Sequence, residues 1–335
     1  MSVRWVLGSS LLVSACFSPT PPTGVPCVTD TDCPGSQICH PITLTCETSC
    51  TNCTPPDGPP GDSDGPGVTC WDGWLAGNVQ LTSPQALDGL TMMNASVSNP
   101  SVSTDGLALY FARNQDLFRA SRQTLDDEFG DPALIVELRT DANESRISTT
   151  GDDQVAVFAS ARPGTLGLLD LWQTSRTILG TFSPPSSLLF GAINDANNQF
   201  DPEITPDGLH LYWAPSVMNE QLIHHASRPT IDDPFEQVTT LDIPIDDIPD
   251  IFDPTISPDQ RVLVFAGQRD NAQGDLFVTT RASADQPFST AVLVPGVNTN
   301  GFHEGDSELS ADGCTLYFVS NRDGLNKIYR AELVR

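Results

Sequence analysis

The sequence predicts an all-β fold, a β-propeller of about five four-stranded blades, preceded by a small disulfide-rich segment and a Pro/Gly linker. Three observations lead there. The chain holds 25 glycines and 28 prolines in 335 residues, which favours many turns and short strands over long helices. One motif recurs five times from residue 99 onward, at the spacing of one propeller blade. The strand after each motif is apolar on both faces, as burial between two neighbouring sheets requires.

The five copies begin at Asn99, Glu144, Asp201, Asp253 and Asp306. Their aliphatic anchors are Val102, Ile147, Ile204, Ile256 and Leu309, separated by 45, 57, 52 and 53 residues. A tight turn follows, clearest in Thr205-Pro206-Asp207-Gly208, where Asp satisfies local backbone donors and Gly tolerates positive φ. The apolar strand comes next, Leu109-Tyr110-Phe111-Ala112 in the first copy and Leu211-Tyr212-Trp213-Ala214 in the third. A third strand opens as Asp116-Leu117-Phe118, Asp170-Leu171-Trp172 or Asp275-Leu276-Phe277, and an Arg and a Phe follow it. The third copy keeps Arg228 and Phe235, and the fifth has Lys327-Ile328-Tyr329 in its third strand. The second copy departs most, reading Gly151-Asp152-Asp153 at the turn with two extra residues before its apolar strand. The fifth copy ends just after its third strand. Val79-Gln80-Leu81-Thr82 is therefore expected to supply the outer strand of the last blade and close the ring, which removes free sheet edges.

The octapeptide from Asp201 to Gly208 resembles the repeat of the TolB-like (WD-repeat-like) propeller family, and five such elements stand in register. The resemblance implies a closed propeller with envelope proteins as partners. Relatives of that kind also precede serine peptidase domains; the G-x-S-x-G string here, Gly61-Asp62-Ser63-Asp64-Gly65, lies in the Pro/Gly/Asp stretch before the repeats and not between a strand and a helix.

Residues 1–15 carry Arg4 and the apolar stretch from Trp5 to Val13, which reads as a signal peptide. Leu12-Val13-Ser14-Ala15-Cys16 resembles the lipobox of bacterial lipoproteins, implying lipid on Cys16 and cleavage before it. Residues 16–26 would then be a lipidated tether to the membrane, and two or three acyl chains hold a protein stably on a bilayer. Phe17, in place of an Asp, favours the outer over the inner membrane. Six cysteines crowd residues 27–53, at Cys27, Cys33, Cys39, Cys46, Cys50 and Cys53. In an exported chain they read as three disulfides, with fifteen pairings open and a zinc site as the alternative. Residues 54–69 form a Pro/Gly/Asp linker, and residues 70–335 the propeller. Cys70 and Cys314 remain, either bridging the seam of the ring or leaving Cys314 a buried thiol.

The net charge of −27 excludes nucleic acid, whose phosphates need clustered Lys and Arg. No histidine lies in an H-E-x-x-H motif, and His224 and His225 are adjacent on a strand, facing opposite sides. The candidate site is the residue that opens each copy just before the innermost strand. Asn99, Glu144, Asp201, Asp253 and Asp306 would ring one mouth of the channel, as turn caps or as ligands for a calcium or magnesium ion. The expected function is a lipid-anchored envelope module that binds protein, peptide or glycan without catalysis. The alternative is a carboxylate- and cation-dependent hydrolase or lyase, glycosidase-like, acting in the channel.

Overall fold

A computed structural model describes residues 69–335 apart from 92–94, 218–219, 269–272 and 335, and also the short strands Ile38–Cys39 and Cys46–Glu47. Those two strands pair antiparallel with Cys39 opposite Cys46. The expected leader, Cys16, the other cysteines of the 27–53 segment and linker residues 54–68 lie outside the described residues.

Besides that two-stranded pair, the described residues form five antiparallel sheets, one for each repeat. Blade 1 runs Val97–Val102, Ala108–Arg113, Asp116–Ser121 and Ala133–Leu134 from the axis outward. Blade 2 has Glu144–Thr149, Val155–Ser160 and Asp170–Ser175. Its outer strand is reduced to two isolated bridges, Gln173 to Ser186 and Arg176 to Phe182, because Pro184 and Pro185 carry no N–H for a ladder. Blades 3, 4 and 5 begin with Asn198–Ile204, Asp250–Ile256 and Glu304–Leu309. The apolar second strands pack on both sides. Each of five hydrophobic clusters joins neighbouring blades, as where Tyr110 of blade 1 meets Phe158 and Trp172 of blade 2.

The repeated Arg explains itself here. Arg122, Arg176, Arg228 and Arg281 each donate Nε to the carbonyl of the last turn residue, at 2.6–2.8 Å from Gly106, Asp153, Gly208 and Gln260. Each guanidinium also lies over its own following Phe, 4.2–4.5 Å from the ring centre. From there Arg176 reaches Tyr110 of the preceding blade, and Arg281 reaches Tyr212. In four of the five blades, fold and repeat are thus tied by one side chain.

The fifth blade lacks that Arg, having Leu333 in its place. A short helix, Cys70–Leu75, supplies the substitute: Trp74 donates its indole N–H to Gly313 O at 2.8 Å, and Trp71 donates to Ala311 O. Cys70 is disulfide-bonded to Cys314, 244 residues away, with Cα atoms 5.1 Å apart. The bridge alternative is the one adopted, and Cys314 sits just before the second strand, Thr315–Ser320. The N-terminal segment does close blade 5. The pairing strand is Gln85–Ala86, against Arg330 and Tyr329 of strand Lys327–Glu332, not Val79–Thr82. Within the expected segment, Leu81 makes a bridge with Leu333, and Thr82 bonds Glu332.

Candidate functional site

The first strand of every blade contains a one-residue bulge at the same level. The bulged residue has positive φ: 51° at Asn99, 52° at Asp201, 52° at Asp253, 48° at Asp306 and 26° at Arg146. Asn and Asp tolerate this conformation better than most residues. Register therefore corrects the second repeat. Ser145 pairs with Ala159 as Ser98 pairs with Ala112, so Arg146 occupies the ring position, not Glu144. Thr149 is the anchor equivalent to Val102, and the two extra residues vanish. The turn from Thr150 to Asp153 then matches the others, down to the Thr150 to Asp152 hydrogen bond.

Four of the five expected residues do meet at the axis. Asp306 accepts from the Asn99 backbone N–H at 3.0 Å, and Asp253 accepts from that of Asp306 at 2.7 Å. Asn99 Nδ2 donates to Asp201 and Asp306 at 3.1 and 3.2 Å. Burial pushes Asp201 up to about 6 and Asp306 up to about 7, and Asp253 lies well above its ordinary value for the same reason, with Asp201 adding repulsion.

One layer higher stand Ser101, Ser148, Glu203, Thr255 and Glu308, two residues beyond each ring residue. They too bond between blades. Glu308 accepts from Val102 N–H, Ser148 from Ile204 and Thr255 from Leu309. Arg146, with no exposed surface, spans the channel to Glu203 and Glu308 at 3.2 and 3.1 Å and to the carbonyls of Ser307 and Pro254. Burial opposes the charges of Glu203 and Glu308, and Arg146 offsets this. The sequence signal for Arg146, Glu203 and Glu308 was register, which only strand pairing fixes.

Among the described residues no group of three or more His, Cys, Asp or Glu side chains is placed to hold a metal ion. Arg146 brings positive charge between the glutamates, and the aspartates bond to neighbouring backbone and to Asn99. His224 and His225 do face opposite sides, His225 against His210 at 3.0 Å and His224 against Thr240.

Glu144 lies instead at the lower edge of blade 2, away from the Asp-turn face. It is fully buried, accepts from Thr140 and Ser160, and faces Arg162 at 3.6 Å. Two clefts open on this lower face. A cleft of about 350 Å³ adjoins the channel mouth, lined by Asn99, Arg113, Asn114, Asn143, Glu144 and Asp201 among others. A second cleft of about 840 Å³ lies between blades 1 and 2, where Val136, Arg139 and Arg162 contribute. Exposed Leu166 and Leu168 follow its edge residue Thr165. The chain enters the propeller on the opposite face, where Trp71 stands over the upper mouth beside Glu203 and Glu308.

These features define a closed five-bladed β-propeller whose channel is filled by its own polar side chains. No family model and no curated protein sequence matches the chain. Among solved structures, the α-L-arabinofuranosidase PaAbf62A from Podospora anserina, determined with cellotriose, is similar over 77% of this chain and 97% of its own, with a TM-score of 0.54 and 10% identity. The TolB-type protein of Agrobacterium tumefaciens matches over 67% of this chain and 69% of its own, with a TM-score of 0.44 and 16% identity. TolB from Acinetobacter baumannii matches over 70% of this chain at 10% identity and a TM-score of 0.44, and the match spans 54% of that protein, about half its length. At such identities the likeness is one of fold.

Proposed function

We propose that the propeller is a binding module of the cell envelope, related in repeat and fold to TolB-like propellers. In this reading it is exported, held on the outer membrane by lipid on Cys16, and displays its lower face to a glycan, peptide or protein. One observation carries the reading. The channel carboxylates are engaged in bonds between blades, while two open clefts lie on the face opposite the chain's point of entry. Residues that hold a ring together serve a scaffold, and binding needs only an exposed face with matching groups.

A second reading, a carboxylate hydrolase, is favoured by Asp201, which is pushed up to about 6 and lines the same cleft as Glu144. Incubating the full chain with a panel of envelope glycans and peptides separates the two. Ligand-observed NMR detects binding, and mass spectrometry of the same samples detects cleavage. Binding without products, weakened by Asn114→Ala and unchanged by Trp71→Phe, supports the module. Products that disappear in Asp201→Asn would replace it with the hydrolase. The anchor is tested apart from this: Cys16→Ser should release the chain from membranes, and a mature chain without acyl groups refutes the tether.

A further inference from the structure

Three blades carry an arginine at the lower end of the sheet, over the third-strand ring. Arg113 stands directly opposite Val97, where blades 2 and 5 have Ser160 and Ser320, and Arg162 and Arg322 reach the same place from two residues further on. In blade 2, Arg162 lies over Phe158 and Trp172 and donates to Leu138 O in the loop that leads into the blade. In blade 5, Arg322 lies over Phe318 and Tyr329 and donates to Val297 O in the corresponding loop. In blade 1, Arg113 lies 3.9 Å from the centre of the Phe118 ring and donates to Leu90 O at 3.4 Å, again in the loop leading in.

The first two have a carboxylate. Glu144 and Glu304 open the first strands of their blades, are fully buried, and face Arg162 and Arg322 at 3.6 and 2.9 Å. The residue that opens the first strand of blade 1 is Val97. Arg113 is 6% exposed, and no carboxylate among the described residues pairs with it. Burial lowers its pKa, with no acid beside it to counter the effect. A buried guanidinium without a counter-charge is costly to a fold that places carboxylates beside its two counterparts. Both Arg113 and Val97 line the 350 Å³ cleft.

We propose that this cleft takes an acidic saccharide, whose carboxylate pairs with Arg113 as Glu144 and Glu304 pair with their arginines. The inference rests on the lower face being a binding surface and names its ligand class. Arginine suits a carboxylate because its planar donors meet both oxygens. Two acids also line the cleft, Glu144, which faces Arg162, and Asp201, which accepts from Asn99. The remaining lining points to hydroxyl groups, which need a donor and an acceptor side by side. Asn114, Gln115, Asn143 and Asn326 each present both in one carboxamide, and Phe200 adds a ring for the apolar face of a sugar. The net charge of −27 repels an anion at long range, so affinity comes from contacts inside the cleft.

The test is calorimetric titration of the full chain with a uronic-acid trisaccharide, its carboxyl-reduced neutral counterpart, and an acidic tripeptide of equal charge. The uronic sugar should bind, and both the neutral sugar and the tripeptide should bind about tenfold more weakly or not at all. Arg113→Gln should cost the acidic sugar about tenfold or more and leave the neutral sugar unchanged. Val97→Glu should do the same by supplying the missing carboxylate, and its melting temperature should not fall, since blades 2 and 5 accommodate that pair. No binding of the uronic sugar at millimolar concentration overturns the proposal, as does equal binding of the neutral sugar or the tripeptide, or Val97→Glu binding like the parent. If other envelope ligands still bind the lower face, only the ligand class falls. If the uronic sugar binds through Arg113 but is cleaved, the site stands and the non-catalytic reading falls.

Discussion

Replacing Arg146 by Met removes the one cation at the centre of the ring. Its guanidinium is wholly buried and holds Glu203, Glu308 and two carbonyls, so three other blades lose a contact at once. The two glutamates would be left buried without a counter-charge, and losing one partner of a buried ion pair costs about 3–5 kcal/mol. Part of that is recovered if a glutamate takes up a proton, which the raised pKa values of Glu203 and Glu308 favour. The loss should therefore be smaller at low pH than at neutral pH. Urea unfolding of the full chain, followed by tryptophan fluorescence, measures it. The triple variant Arg146→Met, Glu203→Gln, Glu308→Gln should regain much of the loss. A destabilisation under about 1 kcal/mol for Arg146→Met, the size of an ordinary surface change, would refute the argument that this side chain holds the ring.

Three other outcomes follow from the same geometry. Asp201 and Asp306 titrate near 6 and 7 because burial raises them, so their protonated forms favour the fold; stability is full below the ordinary carboxylate range and falls as pH rises through 6 to 7. The melting temperature should drop between about pH 4 and about pH 7, and Asp306→Asn should flatten that drop; an unchanged slope contradicts the assignment. Non-reducing peptide mapping should find Cys70 linked to Cys314, and removing a bridge over so long a loop should cost up to ~5 kcal/mol in denaturant titration. Trp74→Phe should cost about 1–2 kcal/mol by leaving Gly313 O without its donor, while Trp71→Phe, whose indole is less buried, should cost less.

Much of the fold was legible because its causes are local. Each Asp in the turns bonds a backbone N–H two residues on, as Asp105 does to Leu107, and that chemistry shows as a motif. Strands such as Leu109–Ala112 are apolar throughout because clusters from two neighbours enclose them. The ring residues were legible where Asn or Asp precedes Pro, at Asn99, Asp201 and Asp253. Blade 2 was misread because Ile147 imitates the aliphatic anchor and Glu144 imitates the leading acid, two residues early. Only the bulge, with Ser145 opposite Ala159, settles which residue points to the axis. The missing carboxylate at Arg113 had no local signature either. It emerges when three blades are compared in space: Val97 stands in register with Glu144 and Glu304, while Arg113, opposite it, takes the position of Ser160 and Ser320. The helix that replaces the fifth arginine was equally hidden, because Trp74 and Gly313 are 239 residues apart in sequence.

The claim that the lower face binds and the channel only supports it is tested most directly by hydrogen–deuterium exchange. The full chain is compared with and without the uronic-acid trisaccharide, and the sugar is recovered for mass analysis. The account predicts slower exchange around residues 96–99, 113–116 and 142–145, no change around residues 69–76 or the Asp-containing turns, and an intact sugar. Protection confined to the upper face, or a cleaved sugar, would contradict it.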